Sequence, residues 1–137
     1  MTYLLDSNAC IAIINKKVSQ PFEGSLNRAI RFGEGLYVPS ISVYELWFGV
    51  AKSKRVRVNT YNLARFLKPP FQVLDFDSHD ARLAGEIRAE LARRGTPIGP
   101  YDVLIAGQAL ARGLTLVTVN IREFSCVDGL KLADWTQ

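Results

Sequence analysis

The sequence holds only two cysteines, Cys10 and Cys126, and a single histidine, His79. Two thiols cannot build a disulfide framework, and one imidazole with two thiols cannot complete a zinc site, so both cysteines read as free. His79 has no second histidine to share acid–base work and, beside Asp80 at the start of a helical pattern, reads as structural. Long apolar runs are also missing. None approaches the roughly 18 residues a membrane helix needs, and the first residues form neither a basic leader nor a small-residue cleavage site, so a cytoplasmic protein with no membrane partner is expected. Repeats, low-complexity stretches and Pro/Gly/Ser linkers are absent too, which implies one domain over residues 1–137.

What is present is the balance of a folded domain, with 48% hydrophobic and 22% charged residues. Seventeen Lys and Arg against 13 Asp and Glu leave a net charge of +4, compatible with a polyanionic partner. Short apolar or β-branched runs at Tyr3–Leu5, Leu36–Val38, Phe71–Leu74 and Thr115–Val119, with a weaker one near Leu130–Leu132, read as strands buried on both faces. Helical patterns alternate with them: Ser7–Ile14, about Phe22–Phe32, Ser40–Ala51, about Val56–Leu67, Ser78–Arg94 and Pro100–Arg112. In the fifth, Ala84, Ile87 and Leu91 make one apolar stripe, and Gly95 and Pro97 mark its end. Strands separated by helices favour parallel pairing through right-handed crossovers and hence a three-layer α/β/α sandwich. Ligands of such sheets bind beyond the carboxyl ends of the strands, where the strand order reverses.

Charge is sparse inside these segments, and its placement is uneven. Asp6 is the only charged residue from Thr2 to Asn15, Glu45 the only one from Pro39 to Ala51, and Asp102 the only one from Gly95 to Ala111. A carboxylate on an apolar segment is costly to bury without a partner, and no Lys or Arg lies at helical pairing distance from Glu45. Each acid has an ordinary explanation: Asp6 as a helix cap, Asp102 as a first-turn acid, Glu45 as a solvent-facing residue. That all three hold at once is the less economical reading. Carboxylates gathered at one sheet edge repel unless a cation is present, and an oxygen-only donor set points to Mg²⁺ or Mn²⁺.

The segments YLLDSN, SISVYEL around Glu45, IGPYDVLIAGQALARG around Asp102 and TLVTVNIREF with the closing GLKLADW resemble the PIN-domain ribonuclease toxins called VapC. The resemblance spans nearly the whole chain in order and spacing. It implies a PIN-like sheet of order 3-2-1-4-5, Mg²⁺ or Mn²⁺ held by Asp6, Glu45 and Asp102, cleavage of RNA (tRNA among the candidate targets), homodimerisation, and a VapB-like antitoxin that inhibits the enzyme. At a fourth position many PIN nucleases carry aspartate; here Asn120 stands there, with Glu123 three residues on, so the number of acidic ligands stays open.

The chemistry expected of such a site is phosphodiester hydrolysis by activated water, leaving a 5′-phosphate and a 3′-hydroxyl. Asn120 and Glu123 either join the site or form the cap of a short helical turn. Lys52, Lys54, Arg55 and Arg57 are candidates to track RNA phosphates, against the alternative of a solubilising turn. Tyr44, Trp47 and Phe48 read more readily as core or dimer interface than as base-stacking residues. A response-regulator receiver would need paired acids after the first strand and a lysine after the fifth; a dehalogenase-like phosphatase would need D-x-D where this chain reads Asp6-Ser7-Asn8. The remaining rival is an inactive PIN module that binds RNA or protein only.

Overall fold

The computed structural model covers residues 1–137. Five strands, β1 (Thr2–Leu5), β2 (Gly35–Pro39), β3 (Phe71–Leu74), β4 (Thr115–Val117) and β5 (Lys131–Ala133), form one all-parallel sheet of order β3-β2-β1-β4-β5. Helices α1 (Ser7–Ile14), α2 (Gln20–Arg31), α3 (Ser40–Ala51), α4 (Val56–Phe66), α5 (Ser78–Arg93), α6 (Pro100–Arg112) and α7 (Ile121–Phe124) connect them. The expected topology is present, with most element ends within two residues. Two strands shift. β4 ends at Val117 rather than Val119, because beyond Val117 the chain turns away, with the Asn120 N–H closing on the Thr118 hydroxyl at 2.9 Å. β5 lies one residue later than read, where Lys131, Leu132 and Ala133 face Thr115, Leu116 and Val117 in register.

Alternate residues of the central strands feed two cores. Leu5, Val117, Leu36 and Val38 pack with Cys10, Phe22, Leu46, Leu63, Phe66 and Trp135 on the side of α1 to α4. Leu4 and Leu116 pack with Ile87, Leu91, Ile105, Ala106 and Ala109 on the side of α5 and α6. This period of two is the strand signature made three-dimensional, with apolar residues needed on both faces. No helix is long and apolar enough to cross a membrane. Both cysteines are free, Cys10 buried and Cys126 half-buried.

The layer of α5 and α6 is tied down tightly. Gly107 meets Ala84 so closely that a Cβ there would stand 2.6 Å from the Ala84 Cβ. At the end of α6, Arg112 pairs with buried Asp80 at 3.0 Å and with Asp77 at 3.2 Å, while Asp77 and Asp80 form the capping box of α5. The buried Gln108 amide donates to the Leu74 and Asp75 carbonyls. These bonds lock α6, and Asp102 near its start, against the sheet. His79 is exposed in the first turn of α5.

Candidate metal centre at the switch point of the sheet

β1 and β4 are neighbours from which the chain departs in opposite directions across the sheet, so the reversal of strand order falls between their carboxyl ends. Asp6 follows β1 directly. Its backbone N–H bonds the Val117 carbonyl at 3.1 Å, its side chain accepts from the Ala9 N–H at 2.8 Å to cap α1, and the Thr118 hydroxyl donates to it from across the strand pair. The carboxyl is 4% exposed, and burial raises its pKa, against those two hydrogen bonds and with a smaller push from Glu45. Capping and membership of the acidic group are therefore compatible at one residue.

Glu45, half-buried in the second turn of α3, stands with Oε1 2.8 Å from Ser7 Oγ, which is itself 2.8 Å from buried Ser42 Oγ. One hydroxyl proton serves one acceptor, so the Ser7 proton goes to the carboxylate and Ser42 donates to Ser7. Asp102 is in the first turn of α6 and half-buried. Burial first, then the charges of Glu123, Asp6 and Glu45, push its carboxyl up to about 6. Four acids from four separate elements thus sense one another at one edge of the sheet, and none of the four pairs with a Lys or Arg.

Glu123 lies in α7. Its Oε1 accepts the Gly99 N–H at 3.0 Å, just before α6, and its Oε2 takes the Asn120 amide. Asn120 makes no side-chain cap bond to α7, so the capping box considered from sequence does not form. Its side chain instead orients Glu123, and Glu123 acts electrostatically on Asp102.

In one respect the acids differ from a closed cage: no three of them stand close enough to enclose a common ion. Glu45 is held by Ser7, and Glu123 by Gly99 and Asn120. The donor set still fits Mg²⁺ or Mn²⁺, because magnesium is usually held by one or two carboxylates with water completing its shell.

Sequence reading did not single out Ser7, Ser42 or Thr118, whose hydroxyls support the acids. The clue was slight: Ser7 adjoins Asp6, Ser42 precedes Glu45 by three residues on α3, and Thr118 directly follows β4. Of the two readings of the aromatics, core and dimer interface, the first does not hold: Tyr44 and Phe48 are more than half exposed and Trp47 is 38% exposed, while Leu46 on the same helix is buried. Tyr44 and Tyr101 meet at the rim, hydroxyl to hydroxyl at 3.5 Å. Lys52, Lys54, Arg55 and Arg57 are grouped around the α3–α4 turn and all are exposed, with Lys52 over the Phe48 ring.

The PIN domain family model matches residues 3–130, which span four of the five strands and every acid of this site. The chain belongs to the PIN-domain family. Within it the chain is of the VapC type. It is 39% identical to the tRNA(fMet)-specific endonuclease VapC of Salmonella typhimurium, covering 98% of both chains, and 36% identical to ribonuclease VapC2 of Rickettsia felis, again over 98% of both. Among solved structures, VapBC2 from Rickettsia felis bound to a DNA fragment from its promoter superposes with a TM-score of 0.90 at 36% identity, covering 98% of this chain and 99% of that one. The four acids of this VapC-type chain come from separate sequence segments and are brought to one sheet edge only through the topology.

Proposed function

We propose that this chain is a metal-dependent endoribonuclease, the toxin of a toxin–antitoxin pair. The observation that carries this reading is the group Asp6, Glu45, Asp102 and Glu123 at the reversal point of the sheet, with no basic side chain to neutralise it. Its relatives are named as ribonucleases and a tRNA endonuclease, and the similar structures are toxin–antitoxin complexes.

Asp6 and Asp102 are the residues that would hold Mg²⁺ or Mn²⁺. The chemistry the ion supplies is Lewis acidity toward phosphate oxygens and hydroxide available near neutral pH. Asp6 is fixed in place by the Ala9 and Thr118 hydrogen bonds, so it offers a preorganised oxygen ligand. Glu45, steadied by Ser7, would orient the attacking water or help hold a second ion. Glu123, steadied by Gly99 and Asn120, deepens the negative potential at Asp102 and so strengthens its hold on a cation. With a single histidine in the chain, no imidazole pair is available for a cyclising route through the 2′-hydroxyl.

For substrate class we take tRNA first, after the Salmonella typhimurium relative. A VapB-like antitoxin is the proposed partner, its arginine pairing bidentately with the acids and displacing the ion. The exposed α3 aromatics are the proposed face of a homodimer. The test is incubation of the purified chain with tRNA in Mg²⁺ or Mn²⁺, with and without EDTA. Cleavage that EDTA abolishes, giving 5′-phosphate ends, is expected. Metal-independent cleavage, or 2′,3′-cyclic phosphate ends, would sink the mechanism; intact RNA under every metal condition would leave only a binding module.

A further inference from the structure

The acidic centre repels the polyanion it is proposed to cut, so the excess positive charge of the chain has to hold the substrate from elsewhere. A cleft of about 500 Å³ lies away from the centre, between the end of α1 and the end of α4. Lys16, Arg65 and Lys68 line it, together with the carboxamides of Asn15 and Asn62. It contains no acid, and none of its three cations enters an ion pair. The cleft borders a second groove of about 280 Å³ between α1, α3 and α4, and Ile14, Asn15 and Asn62 line both. Glu45 lines that second groove, which therefore lies between the three cations and the acidic centre.

Lys16 carries a separate mark. It sits at φ 56° immediately after α1, the left-handed position at a helix end that favours glycine. Around it the Lys16 N–H bonds the Ile13 carbonyl at 3.1 Å and the Lys17 N–H bonds the Ala12 carbonyl at 2.9 Å, a helix ending that glycine would make without strain. A long cationic side chain is kept where the backbone favours none, and strain of this kind collects at functional positions.

We infer that this cleft is a phosphate-binding exosite for the RNA substrate: Lys16, Arg65 and Lys68 grip backbone phosphates remote from the scissile one, and the intervening groove carries the strand to the acids. The inference rests on the ribonuclease reading above. An RNA strand is favoured over a small anion because three cations line one open cleft and the groove beside it is lined by Glu45. An acidic protein segment is the competing occupant.

Binding of a fluorescent, unstructured RNA is measured by anisotropy in EDTA across a salt titration, which needs no cleavage. Cleavage kinetics in Mn²⁺ are measured on the same RNA and on a tetranucleotide too short to reach the cleft. The variants are Lys16→Gly, the triple Lys16→Gly/Arg65→Ala/Lys68→Ala, and a charge-matched control, Arg28→Ala/Arg31→Ala/Lys131→Ala. The exosite predicts that Lys16→Gly melts at or above the wild-type temperature yet binds RNA more weakly. For the triple variant, the slope of log affinity against log salt becomes shallower by about 0.7 for each phosphate no longer neutralised, or about 2 for three. Its KM on the long RNA rises about tenfold or more with kcat within about twofold, while the tetranucleotide is cut as by wild type. The control variant keeps the wild-type salt slope and KM. An unchanged salt slope and KM in the folded triple variant, or equal losses in the triple and the control, would overturn the exosite. A wild-type chain that binds RNA with the predicted slope but cuts nothing would overturn the nuclease reading instead and leave the exosite standing.

Discussion

Burial, and after it the charges of Glu123, Asp6 and Glu45, push the Asp102 carboxyl up to about 6 against an ordinary 3.8. Below about pH 4 the group is protonated in folded and unfolded chains alike and contributes nothing. As pH rises from 4 to 6 the unfolded chain releases its proton while the folded one retains it, so stability falls, and above 6 the penalty is complete. In EDTA, Asp102→Asn is therefore expected to be more stable than wild type at pH 7 by about 1 kcal/mol, after allowing for solvent screening of a half-exposed group, with the difference vanishing near pH 4. Urea melts at the two pH values check this, and the same variant should cleave no RNA. Wild-type stability at pH 7 would mean that neither burial nor the neighbouring acids penalise the Asp102 charge. Glu123 offers a second test at this scale. Glu123→Gln keeps an oxygen for the Gly99 N–H but removes the charge, so stability should barely change while the Mg²⁺ concentration for half-maximal cleavage rises several-fold. An unchanged metal requirement would remove Glu123 from the site.

At the scale of the element, the acids are placed by how helices and strands end. β1 stops at Leu5 because Asp6 caps α1, and that same cap points a carboxylate over the sheet edge. α6 presents Asp102 from its first turn, and its position depends on contact with α5. Gly107 is the critical point, with a would-be Cβ 2.7 Å from the Ala84 backbone. In an exposed helix Gly→Ala stabilises by about 1 kcal/mol. Here overpacking should outweigh propensity, so Gly107→Ala is expected to destabilise by about 1–3 kcal/mol. A urea midpoint at or above the wild-type value would refute the close packing. α7 is short, but it carries both Asn120 and Glu123 to the start of α6, which explains how a single helical turn can act on the charge of Asp102.

At the scale of the molecule, charge is segregated. The acids occupy the carboxyl edge of the sheet, whereas cations cluster at the α3–α4 turn and at the far ends of α1 and α4. A cation that binds only the folded chain stabilises it by mass action, by about 2.7 kcal/mol at one hundred times its dissociation constant. Millimolar Mn²⁺ is accordingly expected to raise the melting temperature of wild type by several degrees and that of Asp6→Asn by much less. Asn caps a helix about as well as Asp, so that variant should remain folded. Equal rises in both would show that the ion binds elsewhere.

Much of this was legible in the sequence because it is set locally. The alternation of buried strands and amphipathic helices follows from periodicity, and the anomaly of Asp6, Glu45 and Asp102 as lone charges on apolar segments follows from the cost of burying them. Membership of the family, too, lay in four segments read in order. Only the tertiary structure could decide what depends on distance between remote segments. That Asn120 and Glu123 form no capping box was not legible, because Glu123 is held instead by the Gly99 N–H, 24 residues away, and by the Asn120 amide. The supporting hydroxyls of Ser7, Ser42 and Thr118, the exposure of Tyr44 and Phe48, and the cleft joining Lys16 to Arg65 and Lys68 are likewise products of packing. A sequence states which groups are costly to bury; where the chain places their partners is settled by the sheet order and by the faces the helices turn toward it.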